Sequence, residues 1–233
     1  MSIADNIASV RERIVAACKR SGRSSGDVQL MAVSKTQTAP AIREAYEAGV
    51  TLFGENRVQE FAAKYPDIAD LRIGWHLIGP LQSNKAARAV QLFEGIDSVD
   101  SLKLAERLNR LAQEQQKTLE VLIEINIGEE PQKSGLLPGS SELHDLLSAA
   151  ERLDALQFRG LMCIPPQGDS PEQSRPYFQR MAQLREELSA IHIPKIELDE
   201  LSMGMTHDFE IAIEEGSTCV RVGTAIFGAR VRP

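Results

Sequence analysis

The sequence predicts a (β/α)8 barrel preceded by one extra helix, and three observations carry that prediction. Eight short apolar runs alternate with amphipathic helical patterns along the chain. Regular alternation of this kind means a parallel sheet, and eight units close most simply into a barrel. The length, 233 residues, suits such a barrel, which typically takes about 250. Polar residues also collect at the ends of the apolar runs, where a barrel gathers its reactive groups. A doubly wound open sheet would want a Gly-rich turn after its first strand, and Ser34-Lys35-Thr36-Gln37 is not one. No linker or shift in composition interrupts residues 1–233, so one domain is expected.

The elements follow in order. Residues 2–20 read as a leading amphipathic helix with Ile3, Ile7, Val10, Ile14 and Cys18 on one face. The first strand, 30–35, is an apolar run that ends on Lys35. Thr38 and Pro40 then open a helix that Gly49 closes. Strands are predicted at 51–53, 73–78, 95–99 (the weakest), 119–127, 156–164, 196–201 and 219–222, each followed by a helical pattern. Ser170-Pro171-Glu172-Gln173 reads as a capping box with proline at the first helical position. Thr206 and Asp208 start a helix that runs to Gly216.

Read in order, the strand ends give Lys35, Asn56, His76, Ser98, Asn126, Ser202, and Arg221 with Gly223 and Thr224. Each has an ordinary explanation. Lys35 could snorkel or pair, His76 could be a satisfied core histidine, Asn56 a helix cap, and Arg221 a partner for any carboxylate. Together they fall on one face. The loops after strands 7 and 8, Ser202-Met203-Gly204 and Gly223-Thr224, occupy the usual phosphate site of such barrels. Glycines admit backbone N–H groups close to an anion, and hydroxyls add donors. A strand-end amine facing a phosphate site suits a ligand with both an aldehyde and a phosphate. Pyridoxal 5′-phosphate has both.

Totals narrow the classes. Lys plus Arg is 26 and Asp plus Glu is 33, a net charge of −7 with no basic run, so no nucleic-acid partner is expected. Cys18, Cys163 and Cys219 are far apart and unclustered, which fits reduced thiols and neither a disulfide framework nor zinc. Charged residues interrupt the N-terminal segment and no apolar run is long enough to span a bilayer. A cytoplasmic monomer with no membrane partner is the expectation.

Five ordered motifs then become familiar: Val33-Ser34-Lys35-Thr36; Phe53-Gly54-Glu55-Asn56-x-x-Gln59-Glu60; Trp75-His76-x-Ile78-Gly79-x-Leu81-Gln82-x-Asn84-Lys85; Leu201-Ser202-Met203-Gly204-Met205; and Gly216-Ser217-Thr218-x-Val220-Arg221-x-Gly223-Thr224-Ala225-Ile226-Phe227-Gly228. They resemble the pyridoxal phosphate homeostasis protein (YggS/PROSC) family over residues 1–233. The resemblance implies a barrel similar to the N-terminal domain of alanine racemase, with pyridoxal phosphate held as an imine on Lys35. It implies that Ser202, Gly223 and Thr224 hold the phosphate and that Arg221 faces the pyridine nitrogen; Asn56 and His76, from the strand ends on the same face, are expected to join the cofactor residues. Thr206 stands where that family leads one to expect Ser, and Leu77 where a larger side chain is expected.

Two functions compete. A carrier would bind, buffer and deliver the cofactor, with apo forms of pyridoxal-phosphate enzymes as recipients and no catalysis of its own. The alternative is a pyridoxal-phosphate-dependent enzyme similar to an amino-acid racemase. Arginine at the pyridine nitrogen opposes its protonation and weakens the electron sink. Racemases of this architecture take a second base from an added C-terminal β-domain, and with the sequence ending at Pro233 no such domain is expected. A cofactor-free Schiff-base aldolase would explain Lys35 but not Arg221.

Overall fold

The computed structural model describes residues 2–191 and 193–228. Eight parallel strands form a closed barrel in chain order. They are β1 (Gln29–Val33), β2 (Leu52–Glu55), β3 (Gly74–Leu77), β4 (Gly95–Val99), β5 (Leu119–Ile125), β6 (Leu156–Cys163), β7 (Ile196–Met205) and β8 (Cys219–Val222). The helices between them are α2 (Ala39–Glu47), α3 (Val58–Lys64), α4 (Ala86–Leu92), α5 (Leu102–Glu114), α6 (Ser141–Ala149), α7 (Arg175–Ala190) and α8 (Phe209–Glu214). The leading helix α1 (Ile3–Arg20) precedes the barrel, and a single turn, α9 (Thr224–Phe227), follows β8. This is the (β/α)8 barrel with an extra N-terminal helix that the alternation predicts.

Alternation within the strands sorts the core into two parts. Ala32, Phe53, Trp75, Leu77, Val121, Ile123, Leu201, Met203, Val220 and Val222 face the helices and join their apolar stripes. Met31, Val33, Leu52, Ile78 and Cys219 cluster inside the ring. Period-two alternation therefore assigns the residues between them: Ala32 outward means Met31 and Val33 inward, and Val220 and Val222 outward mean Arg221 inward.

Helix α1 forms as expected. Ser2 and Asp5 close a reciprocal capping box, with Asp5 N donating to Ser2 Oγ at 3.1 Å and Ser2 N to Asp5 Oδ2 at 3.0 Å. Its buried face is Ile7, Val10, Ile14, Ala17 and Cys18. The helix packs on α8 and α9, with Arg13–Glu210 at 2.9 Å and Arg20–Glu214 at 2.7 Å along the seam. Asn6 Nδ2 donates to Ile226 O at 2.8 Å and so ties α1 to the turn that follows β8.

Two sequence expectations change here. The capping box at Ser170 does not form: residues Pro171–Ser174 make a 3-10 turn, and Gln173 Oε1 instead accepts from Asp169 N at 2.8 Å. The reason is Pro176. Its ring would clash with the carbonyl four residues back, so the α-helix begins at Arg175. The seventh strand also runs on to Met205, past the expected end at residue 201.

Candidate functional site

The ring closes between its first and last strands. Met31 lies opposite Arg221 and Ala32 opposite Val222, so the residues that follow β1 and β8 emerge side by side at the C-terminal mouth. There the backbones touch: a Cβ placed on Gly223 would lie 3.4 Å from Val33 O. Ser34 is fully buried, and half-buried Lys35 follows it in a turn, two residues beyond Val33 and not at the strand's last position as expected. The first strand thus brings an amine to the edge of the β8 turn.

Arg221 is 2% exposed. Its Nη1 donates to Ser202 O at 2.8 Å and Ser202 Oγ at 2.7 Å, and Nη2 donates to Cys163 O at 2.7 Å. These bonds fix the guanidinium plane across β6, β7 and β8. They also show where Ser202 lies. Because β7 extends to Met205, Ser202 sits within the strand, fully buried, with its hydroxyl on Arg221. The expected loop at 202–204 is therefore strand. Gly204 permits the extension: its φ is +91°, and a Cβ there would come within 2.5 Å of Ala212 Cβ on α8.

The loop-to-loop link is made instead by Thr206. Its Oγ1 accepts from Gly223 N at 3.2 Å. Asp208 shapes the same turn, its Oδ1 accepting from Met205 N at 2.7 Å and its Oδ2 from Ser174 Oγ at 2.8 Å. Thr224, the first residue of α9, is exposed beside this link.

His76 is placed differently from the expectation. It lies inside the ring, one step before Ile78, with Nδ1 2.8 Å from Asp97 Oδ1 and Nε2 3.8 Å from Glu120 Oε2. Glu120 is the second residue of β5, so the ring is turned to the N-terminal half of the barrel and away from the mouth. Gly95 makes room for it, since a Cβ there would meet the imidazole at 2.4 Å. Burial alone would depress the His76 pKa, but Asp97, through charge and hydrogen bond, then Glu200 and Glu120, raise it to about 9. Burial likewise pushes Glu200, with Asp97 nearby, up to about 7.

Both shifts have the same sign for stability. A group whose pKa is raised in the fold contributes fully below its unfolded value and loses that contribution as pH rises through the folded one. Unfolding free energy should therefore fall between pH 6.5 and about 9, by up to about 3 kcal/mol from His76. Denaturant titrations of wild type and His76→Gln across that window check this. An equal slope in the variant would remove His76 as the source.

The remaining strand-end residues divide. Asn56 is half-buried at the end of β2 and lines a polar groove at the mouth with Arg57, Gln59, Gln82 and Lys85. Ser98 Oγ donates to Gly79 O at 2.7 Å, and Asn126 Nδ2 donates to Glu130 O at 2.9 Å; both hold their own loops. One residue that the sequence reading passed over is Glu124. It lies on the interior face of β5, opposite Met162, which is in turn opposite Ser202. Burial and the charge of Asp100 raise its pKa to about 7 despite Arg221. A glutamate inside the strongest apolar strand is the signal that could have found it. No group of three or more His, Cys, Asp or Glu suited to a metal ion occurs among the described residues.

Comparison with known proteins places this geometry. The family described as "Alanine racemase, N-terminal domain" matches residues 3–231. A pyridoxal phosphate homeostasis protein of Aquifex aeolicus is 42% identical over 230 residues, covering 99% of each chain. The structure of PipY from Synechococcus elongatus with PLP bound superposes with a TM-score of 0.85 at 42% identity, covering 97% of this chain and 100% of PipY. An alanine racemase of Clostridium difficile shares the fold at 14% identity and a TM-score of 0.72. It covers 98% of this chain, and the match takes in 58% of the racemase.

Proposed function

As this chain belongs to the alanine racemase N-terminal domain family and, within it, to the pyridoxal phosphate homeostasis proteins, we propose that it holds pyridoxal 5′-phosphate as an imine on Lys35. It serves intracellular homeostasis of that cofactor, with apo forms of pyridoxal-phosphate enzymes as recipients and without catalysis of its own. The observation that carries the reading is the closure of the ring, because β1–β8 pairing sets an amine beside a Gly-Thr turn. The cofactor, when bound, supplies an aldehyde for the amine and a phosphate for the turn. Gly223 leaves the turn open, its own N–H being taken up by Thr206 Oγ1, and the exposed Thr224 hydroxyl is the donor to the phosphate. Arg221 is a permanent, donor-only cation locked by three bonds. It suits an unprotonated pyridine nitrogen. Asn56 belongs to the rim, while Ser202 serves the site through Arg221.

One observation favours the alternative, a racemase-like enzyme. Glu124, with a pKa of about 7 in the layer of Ser202, has the properties of a general base. The solvent-exchange experiment in the Discussion separates the two readings.

The holding bond is tested by the visible absorption of the purified protein before and after borohydride. A coloured, reducible protein with the adduct mapped to Lys35 is expected. A protein colourless after incubation with the cofactor would overturn the reading and favour the cofactor-free aldolase. For the phosphate, Thr224→Ala should weaken pyridoxal 5′-phosphate binding by roughly 1.5–3 kcal/mol, about 10- to 150-fold. Pyridoxal without the phosphate should be nearly insensitive to that change. Ser202→Ala, acting through Arg221, should weaken both ligands alike. Equal weakening of both by Thr224→Ala would place the anion elsewhere.

A further inference from the structure

Behind Lys35, on the helix-facing side of the barrel, lies a buried pair that the proposed chemistry does not use. Glu55, the last residue of β2, is fully buried, and its Oε1 is 2.7 Å from Lys64 Nζ at the end of α3. The same Oε1 accepts from Ser34 Oγ. Lys64 Nζ also donates to Ser34 O at 2.9 Å and reaches Gln37 O at 3.5 Å. Ser34 N donates to Gly54 O at 3.0 Å, and Gln37 N to Ser34 O at 2.9 Å. Apart from the ion pair itself, each of these contacts grips the turn 34–37, which carries Lys35.

That turn needs gripping. Thr36 has φ +66°, a left-handed conformation that a β-branched residue adopts only under constraint from its surroundings. A buried ion pair is weak as a stability device, since desolvation offsets most of its attraction. What this pair supplies is direction, through charge-assisted bonds at both the hydroxyl and the carbonyl of the residue before Lys35.

We propose that Lys64 and Glu55 are positioning residues for Lys35, holding the 34–37 turn so that the amine is aimed at the ligand's aldehyde. This rests on the reading of Lys35 as the imine lysine. There the Lys35 nitrogen adds to the aldehyde carbon, a C=N bond replaces C=O, and the oxygen departs as water with the two amine protons. Misaiming the amine slows that step without touching the groups that bind phosphate and ring.

The test separates aiming from binding. The rate of imine formation with pyridoxal 5′-phosphate is followed by absorbance. The affinity for pyridoxine 5′-phosphate, an alcohol that cannot form an imine, is measured in parallel. Lys64→Met should slow imine formation roughly tenfold to a hundredfold and change the alcohol's affinity by less than about twofold. Glu55→Gln/Lys64→Met removes both charges, leaves no buried carboxylate unpaired, and should show the same split if the single variant folds poorly. Wild-type imine rates in both variants, or equal losses for the two ligands, would overturn the proposal. A wild-type adduct formed readily but on a lysine other than Lys35 would overturn the underlying reading as well, and mass mapping tells these failures apart.

Discussion

Lys35→Ala is expected to abolish the borohydride-stable adduct while leaving thermal unfolding within a few degrees of wild type. The amine is half-buried and follows the strand, so its loss removes nothing from either apolar cluster. Mass spectrometry of the reduced proteins checks the first part and calorimetry the second. Non-covalent binding through the β8 turn should survive, because Gly223 and Thr224 are untouched. An adduct of undiminished yield in the variant would show that another lysine carries the imine.

The second large effect concerns the α-carbon of amino acids. Incubated with L-alanine and other L-amino acids in deuterated water, the loaded protein should exchange its cofactor slowly and leave the α-position unlabelled. With Arg221, fixed by Ser202 and Cys163, facing the pyridine nitrogen as proposed, its permanent charge opposes protonation there and so weakens the electron sink. A missing acid–base group on one face can alone cost on the order of 10²–10⁴-fold. Deuterium entering with accumulation of the D-isomer, at turnover near about 1–10³ per second, would reject the carrier reading. Loss of that labelling in Glu124→Gln would then name the base.

The barrel was legible because each strand is a short apolar run and each helix a 3.6-period stripe, and those patterns do not depend on long-range contacts. Lys35, Asn56, Gly223 and Thr224 reach the mouth for the same reason: they follow strands directly. What could not be read was depth within the ring. His76 and Ile78, the residue just past β3, fall on one side of the alternation, but only the carboxylates of β4 and β5 show which half of the barrel the imidazole turns to. The end of the seventh strand could not be read either. Ser-Met-Gly-Met looks like a loop, and it continues as strand because Gly204 fits under Ala212 and Met203 joins the core. Glu55 drew no separate role from the sequence, since its partner Lys64 belongs to the next helix. The capping box at Ser170 lost to Pro176, a second proline whose local veto outranks the motif.

Ring closure has a temporal consequence. The amine precedes seven strands in the chain, and the Gly-Thr turn follows the last of them. During synthesis the two halves of the site cannot meet until β8 has been made and has docked beside β1. With the imine on Lys35 and the phosphate on the Gly-Thr turn as proposed, a nascent or partly folded chain would lack the complete site, and loading would report a finished barrel. On the same proposal the bound cofactor would fasten the seam where the first and last strands join, and stabilise the native state as a whole. Cells short of the cofactor would hold a larger pool of this protein with that seam unfastened.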